Sequence, residues 1–202
     1  MLDFGCGNGA QSFSFAADFD RIVGVDLTLS SLQQLMSWRG EAPIYPVLYE
    51  GGPLPIADAS VDRVTSFEVL EHVRDERQAL AEMHRVLRPG GQLVISVPNR
   101  WWIFETHGAD LPMLPWNRVP FFSWLPKSIH DRYARARIYR RREILALLQA
   151  TGFTISDSVY VTAPMDVLPW QPLRTLLRST IFAPDTTALP FLATAVLVVA
   201  KK

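Results

Sequence analysis

The sequence predicts an α/β fold in which helices cover both faces of a doubly wound, parallel sheet. Short apolar, β-branched segments alternate with helical segments along residues 1–99, and this alternation is typical of a parallel sheet. A glycine-rich loop at residues 5–9 directly follows the first apolar segment. Loops of this kind lie at the carboxyl ends of the strands, where such sheets bind their ligands.

The spacing of apolar and turn-forming residues then places each element. Strands are predicted at residues 1–4, 21–26, 44–49, 61–67 and 92–97, and later at 153–161 and 192–200. Helices are predicted at residues 10–17, 28–38, 75–87, 142–151 and, as a short amphipathic segment, 173–182. The helix at 75–87 has Ala79, Leu80, Met83 and Leu87 on one face, and Pro89-Gly90-Gly91 ends it.

Composition limits the class of protein. A chain of 202 residues that is 49% hydrophobic fits one domain over residues 1–202. Its 20 basic and 20 acidic residues cancel, so no nucleic-acid partner is expected. A single cysteine excludes an internal disulfide, and the apolar run at 192–200 is too short to span a bilayer. These features, with no visible signal peptide, predict a soluble, cytoplasmic protein.

The glycine loop carries the first chemical signal. Gly5-Cys6-Gly7-Asn8-Gly9 joins a strand to a helix and lets a ligand approach the backbone closely. The spacing differs from the dinucleotide-binding pattern, whose third glycine comes one residue later. It suits a nucleoside with an amino-acid tail, although a glycine turn can also occur in any α/β protein. Because the loop begins at residue 5, we expect the helices that usually precede this strand to be missing.

Two acidic residues follow the next strands. Asp26 ends the second strand, where a carboxylate can accept both ribose hydroxyls; alternatively it is a surface acid that caps the next helix. Glu50 ends the third strand, where it can accept from an adenine amino group or remain a solvated loop acid. Gly51 leaves a backbone N–H free for the adenine ring.

Five segments in order resemble one enzyme family. They are LDFGCGNG at 2–9, VGVD at 23–26, LPIADASVD at 54–62, VLEHV at 69–73 and LRPGG at 87–91. Together they resemble class I methyltransferases that use S-adenosylmethionine, and they are most similar to the small-molecule group that includes the quinone-biosynthesis O-methyltransferases. Two positions depart from the family pattern, since Glu50 stands where Asp is usual and Gly52 replaces a frequent Glu.

The resemblance implies a Rossmann-like sheet of seven strands with an antiparallel last strand, and S-adenosyl-L-methionine as methyl donor. It implies that Gly5, Gly7 and Asp26 contact this cofactor and that Phe67 lies near its methionine part. The full predicted cofactor-binding set is Asp3, Gly5, Cys6, Gly7, Gly9, Asp26, Leu27, Glu50, Gly51 and Phe67.

Residues 68–72 follow the fourth strand and supply the predicted catalytic residues, Glu68 and His72. One of these side chains can act as base on a substrate hydroxyl. Glu68, Glu71 and His72 are also suited to Mg²⁺ or Zn²⁺, and a similar Glu-x-x-Glu-His in quinone O-methyltransferases is associated with a divalent metal. Many relatives carry Leu-Glu-His without a metal, and there the histidine satisfies backbone groups at a helix start, so no metal is assigned.

Residues 100–142 form a predicted lid insertion after the fifth strand. The segment holds nine Arg or Lys against three Asp or Glu, together with many aromatic residues, among them Trp101, Trp102, Trp116 and Trp124. It can be a pocket for an apolar substrate with an anionic group, a peripheral membrane contact, or a cover packed on the sheet. Our hypothesis is that it binds a lipid-like or glycan-linked anionic acceptor.

These observations predict a methyltransferase that acts on a small or lipid- or glycan-linked acceptor, with oxygen as the methylated atom. The alternative is a non-catalytic S-adenosylmethionine-binding subunit of a larger complex.

Overall fold

The computed structural model describes residues 1–111 and 119–202. The strands are β1 (Leu2–Phe4), β2 (Ile22–Asp26), β3 (Ile44–Leu48), β4 (Val61–Phe67), β5 (Leu87–Pro98), β6 (Thr154–Thr162), β7 (Thr186–Thr187) and β8 (Ala193–Lys201). The α-helices are α1 (Ala10–Phe15), α2 (Leu29–Trp38), α3 (Glu76–Val86), α4 (Lys127–Tyr133), α5 (Arg141–Ala150) and α6 (Gln171–Ser179). Short 3₁₀ helices lie at Phe122–Trp124 and Pro190–Leu192.

The strands form one sheet in the order β3-β2-β1-β4-β5-β8-β6-β7. Strands β3, β2, β1 and β4 are parallel, with Leu2 opposite both Val23 and Val64. β8 runs antiparallel to β5, because Lys202 pairs with Gly90 and Gly91 while Thr194 accepts from Asn99. The predicted doubly wound α/β sheet with an antiparallel closing strand is therefore confirmed.

The strand count and one boundary differ from the prediction. Among residues 1–111 and 119–202, the sheet has eight strands because Thr186 and Thr187 pair with β6 as a two-residue antiparallel strand, too short to show a pattern in sequence. β5 begins at Leu87, five residues before the predicted start. Helix α3 ends at Val86, before the predicted stop at Pro89-Gly90-Gly91, and Gly90, at φ +76, donates its N–H to the carbonyl of Lys202. Pairing with Lys202 thus extends the strand through the predicted turn.

Helix α3 shows why the sequence folds locally as predicted. Asp75 caps its first turn by accepting from the N–H groups of Arg77 and Gln78 at 2.9 and 3.0 Å, which satisfies two of the four free donors of a helix start. The buried face consists of Ala79, Leu80, Met83 and Val86. Leu87, predicted on the same face, is also buried but already belongs to β5.

The chain divides into two compact units. The first comprises residues 1–95, 146–156 and 198–202, and the second comprises residues 96–145 and 157–197. In the first unit, a core cluster lies beside the glycine loop and contains Met1, Cys6, Ile22, Leu32, Leu35 and Ile44. The single domain with a lid at 100–142 stays a prediction, and Trp116 lies outside the described residues.

The second unit has its own core of Trp102, Ala163, Met165 and Phe182. Helix α4 lies in the segment for which no regular structure was predicted. Nearby, a buried polar cluster joins Glu105 to His130 Nε2 and to the hydroxyl of Ser123, both at 3.1 Å. The segment is thus held by buried side chains together with isolated backbone bridges, Phe104 with Pro120 and Ala109 with Ala134. Over residues 1–111 and 119–202, the helices are too short or too polar to cross a membrane.

Candidate functional site

The glycine loop leaves β1 in a backbone conformation that glycine favours. Gly5, Gly7 and Gly9 have φ values of +79, +53 and +87, in the left-handed region where a side chain is strained. The N–H groups of Gly5 and Cys6 both donate to the carbonyl of Val25 in β2, at 2.8 and 3.0 Å. The loop is therefore fixed against the neighbouring strand before helix α1 begins.

The three glycines serve different purposes. A Cβ at Gly5 would lie 2.3 Å from Cγ2 of Val69, and one at Gly9 would lie 2.4 Å from Cδ1 of Leu35. These two glycines are needed for close packing. A Cβ at Gly7 would meet nothing within 4 Å, so the backbone there borders open space that a ligand can enter.

Asp26 is the acid that the structure brings to this loop. Its Oδ2 accepts from the N–H of Gly7 and its Oδ1 accepts from the N–H of Thr28, both at 2.8 Å. Each oxygen has two lone pairs and keeps one for a further donor. Asp26 therefore orients the turn before α2, whose N-cap is Thr28, and the same carboxylate faces the glycine loop.

Asp3 and Cys6 support the loop from the protein interior. The carboxylate of Asp3 is buried and accepts from Ser12 at 2.5 Å and from Thr65 at 3.1 Å. Burial raises the pKa of Asp3. The Cys6 thiol lies in the core, where burial and the nearby Asp3 and Asp26 raise its pKa to about 12. Of these two predicted cofactor contacts, Cys6 can offer only its backbone.

The end of β3 lies next to Asp26. The N–H of Tyr49 donates to the carbonyl of Asp26 at 2.8 Å, and the Tyr49 hydroxyl donates to the carbonyl of Gly52 at 2.5 Å. This second bond closes the turn through Glu50 and Gly51, both of which are exposed. Leu27 is 71% exposed. Sequence reasoning missed Tyr49, whose role depends on the tertiary contact of its ring with Phe4.

Residues 67–72 comprise the last residue of β4 and the loop that follows it. Phe67 ends β4 half-buried, and Glu68 follows with φ +55, which is a strained value for a non-glycine residue. Glu71 is buried, and this burial, with Glu68 nearby, raises its pKa to about 8. His72 is exposed, with its Nε2 3.9 Å from Oε1 of Glu71. The N–H of His72 donates to the carbonyl of Val69 at 2.9 Å, so its backbone forms a turn.

The loop at residues 54–58 depends on a residue that sequence reasoning missed. Arg85 donates to the carbonyls of Leu54 and Ile56 and pairs with Glu82 and Asp58. These partners raise the pKa of Arg85, and Arg85 lowers the pKa of Glu82. One guanidinium therefore fixes the Leu54-Pro55 segment to helix α3.

The residues present fit a nucleoside with a charged amino-acid tail. A backbone bordering open space at Gly7, a fixed carboxylate at Asp26 and an exposed apolar side chain at Leu27 offer donors, acceptors and a nonpolar surface at adjacent strand ends. The structure places Asp26 within hydrogen-bonding distance of Gly7, and contact of Gly5, Gly7 and Asp26 with the cofactor stays a prediction. Phe67, Glu68 and His72 lie at the end of β4, on the other side of β1 from β2.

Family comparisons agree with this chemistry. One model of a methyltransferase domain matches residues 2–95, and a second model of a methyltransferase domain matches residues 49–152, about half of the chain.

Individual proteins similar to this chain are named as methyltransferases. A probable S-adenosylmethionine-dependent methyltransferase of Mycolicibacterium smegmatis is 32% identical over 162 residues, which are 80% of this chain and 54% of that protein. The ubiquinone biosynthesis O-methyltransferase of Pseudomonas aeruginosa is 29% identical over 80% of this chain and 67% of that protein. The chain spans about half the length of the first of these relatives.

Solved structures show the same fold. The S-adenosylmethionine-dependent methyltransferase of Mesorhizobium loti superposes with a TM-score of 0.68 at 19% identity, covering 100% of this chain and 89% of that one.

Proposed function

Because the chain belongs to the family of class I S-adenosylmethionine-dependent methyltransferases, we propose that it transfers a methyl group to a small or lipid- or glycan-linked acceptor. Oxygen is the proposed acceptor atom. The observation that carries the proposal is the carboxylate of Asp26, which two backbone N–H groups hold at the edge of the glycine loop.

Asp26 is proposed to bind the ribose. Its two oxygens each accept one backbone hydrogen bond at 2.8 Å, and the remaining lone pairs suit two vicinal hydroxyls. Because the carboxylate is already oriented by the protein, little side-chain entropy is lost when the ligand binds. The backbone at Gly7, which borders open space, is proposed to contact the amino-acid tail.

The turn after β3 is proposed to bind the adenine. Leu27 offers an exposed apolar surface, the N–H of Gly51 can donate to the ring, and the carboxylate of Glu50 can accept from the exocyclic amino group. The hydrogen bond from Tyr49 to Gly52 holds this turn in place. Glu50 is one methylene longer than the aspartate usual in the family, and an exposed side chain has room for that length.

When bound, S-adenosylmethionine supplies a methyl group on a positively charged sulfur, and the acceptor oxygen takes this methyl group by in-line displacement of the sulfur. This chemistry depends mainly on positioning and on exclusion of water.

Phe67 is proposed as an apolar wall beside the methionine part of the cofactor. The imidazole of His72 is proposed to take the hydroxyl proton from the acceptor, with Glu68 as the second candidate base. Glu71, with its pKa raised to about 8, is mostly protonated at neutral pH and adds little negative charge beside that imidazole.

Two features support the finer assignments. Oxygen as acceptor atom is supported by the likeness to the ubiquinone biosynthesis O-methyltransferase. A cytoplasmic location stays a prediction and is compatible with the free, buried thiol of Cys6.

Two measurements test the function. Titration calorimetry with S-adenosylmethionine should give saturable binding to the wild-type chain and weaker binding to Asp26→Ala. Release of S-adenosylhomocysteine is then followed with a panel of hydroxylated acceptors, aromatic, glycan-linked and lipid-linked. Release with one acceptor class supports the enzyme and names the substrate. Binding without release from any acceptor favours the non-catalytic subunit, and no binding contradicts both functions.

A further inference from the structure

The second unit contains a pocket whose lining residues were given no role under the proposed function. Its volume is about 410 Å³. Six side chains line it: Trp101, Arg140, Arg141, Arg142, Leu145 and Tyr160. Three consecutive arginines in one pocket wall, with aromatic rings beside them, indicate a ligand that is anionic at one end.

The charge of this pocket is largely uncompensated. Arg140 has one long ion pair, with Glu143, whose Oε1 lies 4.0 Å from the Arg140 Nε and whose Oε2 accepts from the Arg140 backbone N–H. Arg141 donates instead to neutral partners, the hydroxyl and carbonyl oxygens of Ser158, at 2.5 and 2.6 Å. Within residues 1–111 and 119–202, the structure records no ion pair for Arg141 or Arg142.

Two aromatic rings hold the guanidinium groups in place. The guanidinium carbon of Arg140 lies 5.5 Å from the ring centre of Trp101, and that of Arg141 lies 5.5 Å from the ring centre of Tyr160. Cation–π contacts of this kind orient the planar group without neutralising its charge. The Nε of Arg140 is buried and has no hydrogen-bond acceptor among the described residues. That N–H is therefore a donor that a bound anion would satisfy.

The backbone adds to the positive potential. Helix α5 begins at Arg141, so the N-terminal end of its peptide dipoles points at the pocket. Cations in the first turn of a helix are unfavourable, because they lie at the positive end of the helix dipole. Arginines at this position therefore destabilise the ligand-free protein, and a bound anion would offset that destabilisation.

An apolar surface continues from the pocket wall. The indole N–H of Trp124 donates to the carbonyl of Trp101 at 3.2 Å, and the ring of Phe121 packs edge-on against Trp124 with centroids 5.2 Å apart. Trp101, Trp124 and Phe121 are 41%, 47% and 52% exposed. Exposed aromatic groups beside an arginine pocket suit a ligand whose nonpolar part adjoins its anionic group.

We infer that this pocket binds a phosphate ester, with its phosphate on Arg140, Arg141 and Arg142 and its organic part against Trp101 and Trp124. Phosphate fits better than carboxylate because a single guanidinium satisfies both oxygens of a carboxylate, whereas a phosphate dianion accepts from several forks at once. The same chemistry is found in soluble sugar or nucleoside phosphates and in phosphate-bearing lipids. The inference names the ligand class for the arginines of residues 100–142, and it concerns binding alone, whether or not the bound ligand is also the methyl acceptor.

Binding by the whole chain, without S-adenosylmethionine, tests the site. The soluble probe is pyrophosphate, titrated by calorimetry at physiological ionic strength. The lipid probes are phosphatidylcholine vesicles, alone or containing phosphatidic acid or phosphatidylserine, assayed by cosedimentation. The pocket variants are Arg141→Gln and Arg142→Gln, and the matched control is Arg77→Gln, an exposed helical arginine of the first unit.

The site predicts that each pocket variant weakens binding roughly tenfold or more, since a charged hydrogen bond is lost, and that Arg77→Gln leaves it unchanged. Arg142 is exposed, so Arg142→Gln keeps the test valid if loss of the Ser158 contacts unfolds Arg141→Gln. Pyrophosphate binding without vesicle binding assigns a soluble ligand. Preference for phosphatidic acid over phosphatidylserine, weakened by Trp124→Ala, assigns a lipid. Absence of both kinds of binding, or equal loss in Arg77→Gln, would overturn the inference, and neither result depends on methyl transfer.

Discussion

The glycine loop of the first unit, residues 5–9, and the described residues between β5 and α5 in the second unit are held by different means. The latter are called the segment below. The loop is fixed by backbone conformation and by a carboxylate next to it in space, with Gly5, Gly7 and Gly9 at positive φ and Asp26 bonded to Gly7. The segment is fixed by buried side chains, with Glu105 bonded to His130 and Asn99 bonded to the carbonyls of Pro190 and Ala193. The loop therefore has no room for a side chain at Gly5 or Gly9, whereas the segment depends on retaining its polar partners.

The largest effect is expected in the second unit. His130→Ala should lower the free energy of unfolding by about 3–5 kcal/mol, because it leaves the fully buried Glu105 without one of its partners. Urea unfolding measures this change. Asp131→Ala is the matched control, since Asp131 is half-exposed and also contacts His130, and it should cost less than about 1 kcal/mol. Equal losses in the two variants would mean that the buried cluster does not anchor the segment.

In the first unit, the corresponding change adds a methyl group to the glycine loop. Gly5→Ala should lower the free energy of unfolding by about 2–4 kcal/mol, because its Cβ would lie 2.3 Å from Val69 at a φ of +79. Thermal or urea unfolding reports the loss. The double variant Gly5→Ala with Val69→Ala should recover part of it, since the clash is then removed. No recovery would assign the cost to backbone strain alone.

Asp26 distinguishes binding from stability. Asp26→Ala should weaken binding of S-adenosylmethionine by about 1–3 kcal/mol through loss of charged hydrogen bonds, as measured by calorimetry. The matched control is Asp75→Ala, which also removes a carboxylate that accepts from two backbone N–H groups. Both variants should lose stability, but only Asp26→Ala should lose affinity. Wild-type affinity in Asp26→Ala would contradict the ribose assignment.

Glu71 predicts a pH dependence of stability. Its pKa is raised from 4.5 to about 8, so between these values the native state keeps a proton that the unfolded state has released. Stability should therefore fall as the pH rises through this window, by up to about 1.4 kcal/mol per pH unit. Glu71→Gln should reduce that slope in urea unfolding measured from pH 5 to pH 8. An unchanged slope would show that Glu71 is already ionised in the folded protein.

The smallest effect compares two glycines of equal conformation. Gly7 and Gly40 have φ values of +53 and +51, and a Cβ at either would meet nothing within 4 Å. Gly7→Ala and Gly40→Ala should each cost about 1 kcal/mol of stability through backbone strain. Only Gly7→Ala should also weaken S-adenosylmethionine binding. Loss of affinity in both variants would attribute it to general destabilisation instead.

The sequence by itself determined the local features of the first unit. These features depend on residues a few positions apart in the chain. They are the spacing of the glycines, the position of Asp26 at the end of β2, and the apolar face of α3, and the strands and helices show in the repeat of apolar residues, every two residues in a strand and every 3.6 in a helix. The structure has these elements within a few residues of the predicted bounds. The assignment of Asp26, Glu50 and Phe67 to the cofactor stays a prediction.

Only the tertiary structure decided the features that join distant positions. Val69 lies beneath Gly5, Tyr49 closes the turn beside Asp26, and Thr186 and Thr187 form an eighth strand. The arginines at 140–142 were visible in the sequence, but Ser158 and Tyr160, which hold Arg141, were not singled out. The physical reason is that local propensity fixes backbone periodicity, whereas contacts between residues far apart in the chain follow from topology and packing.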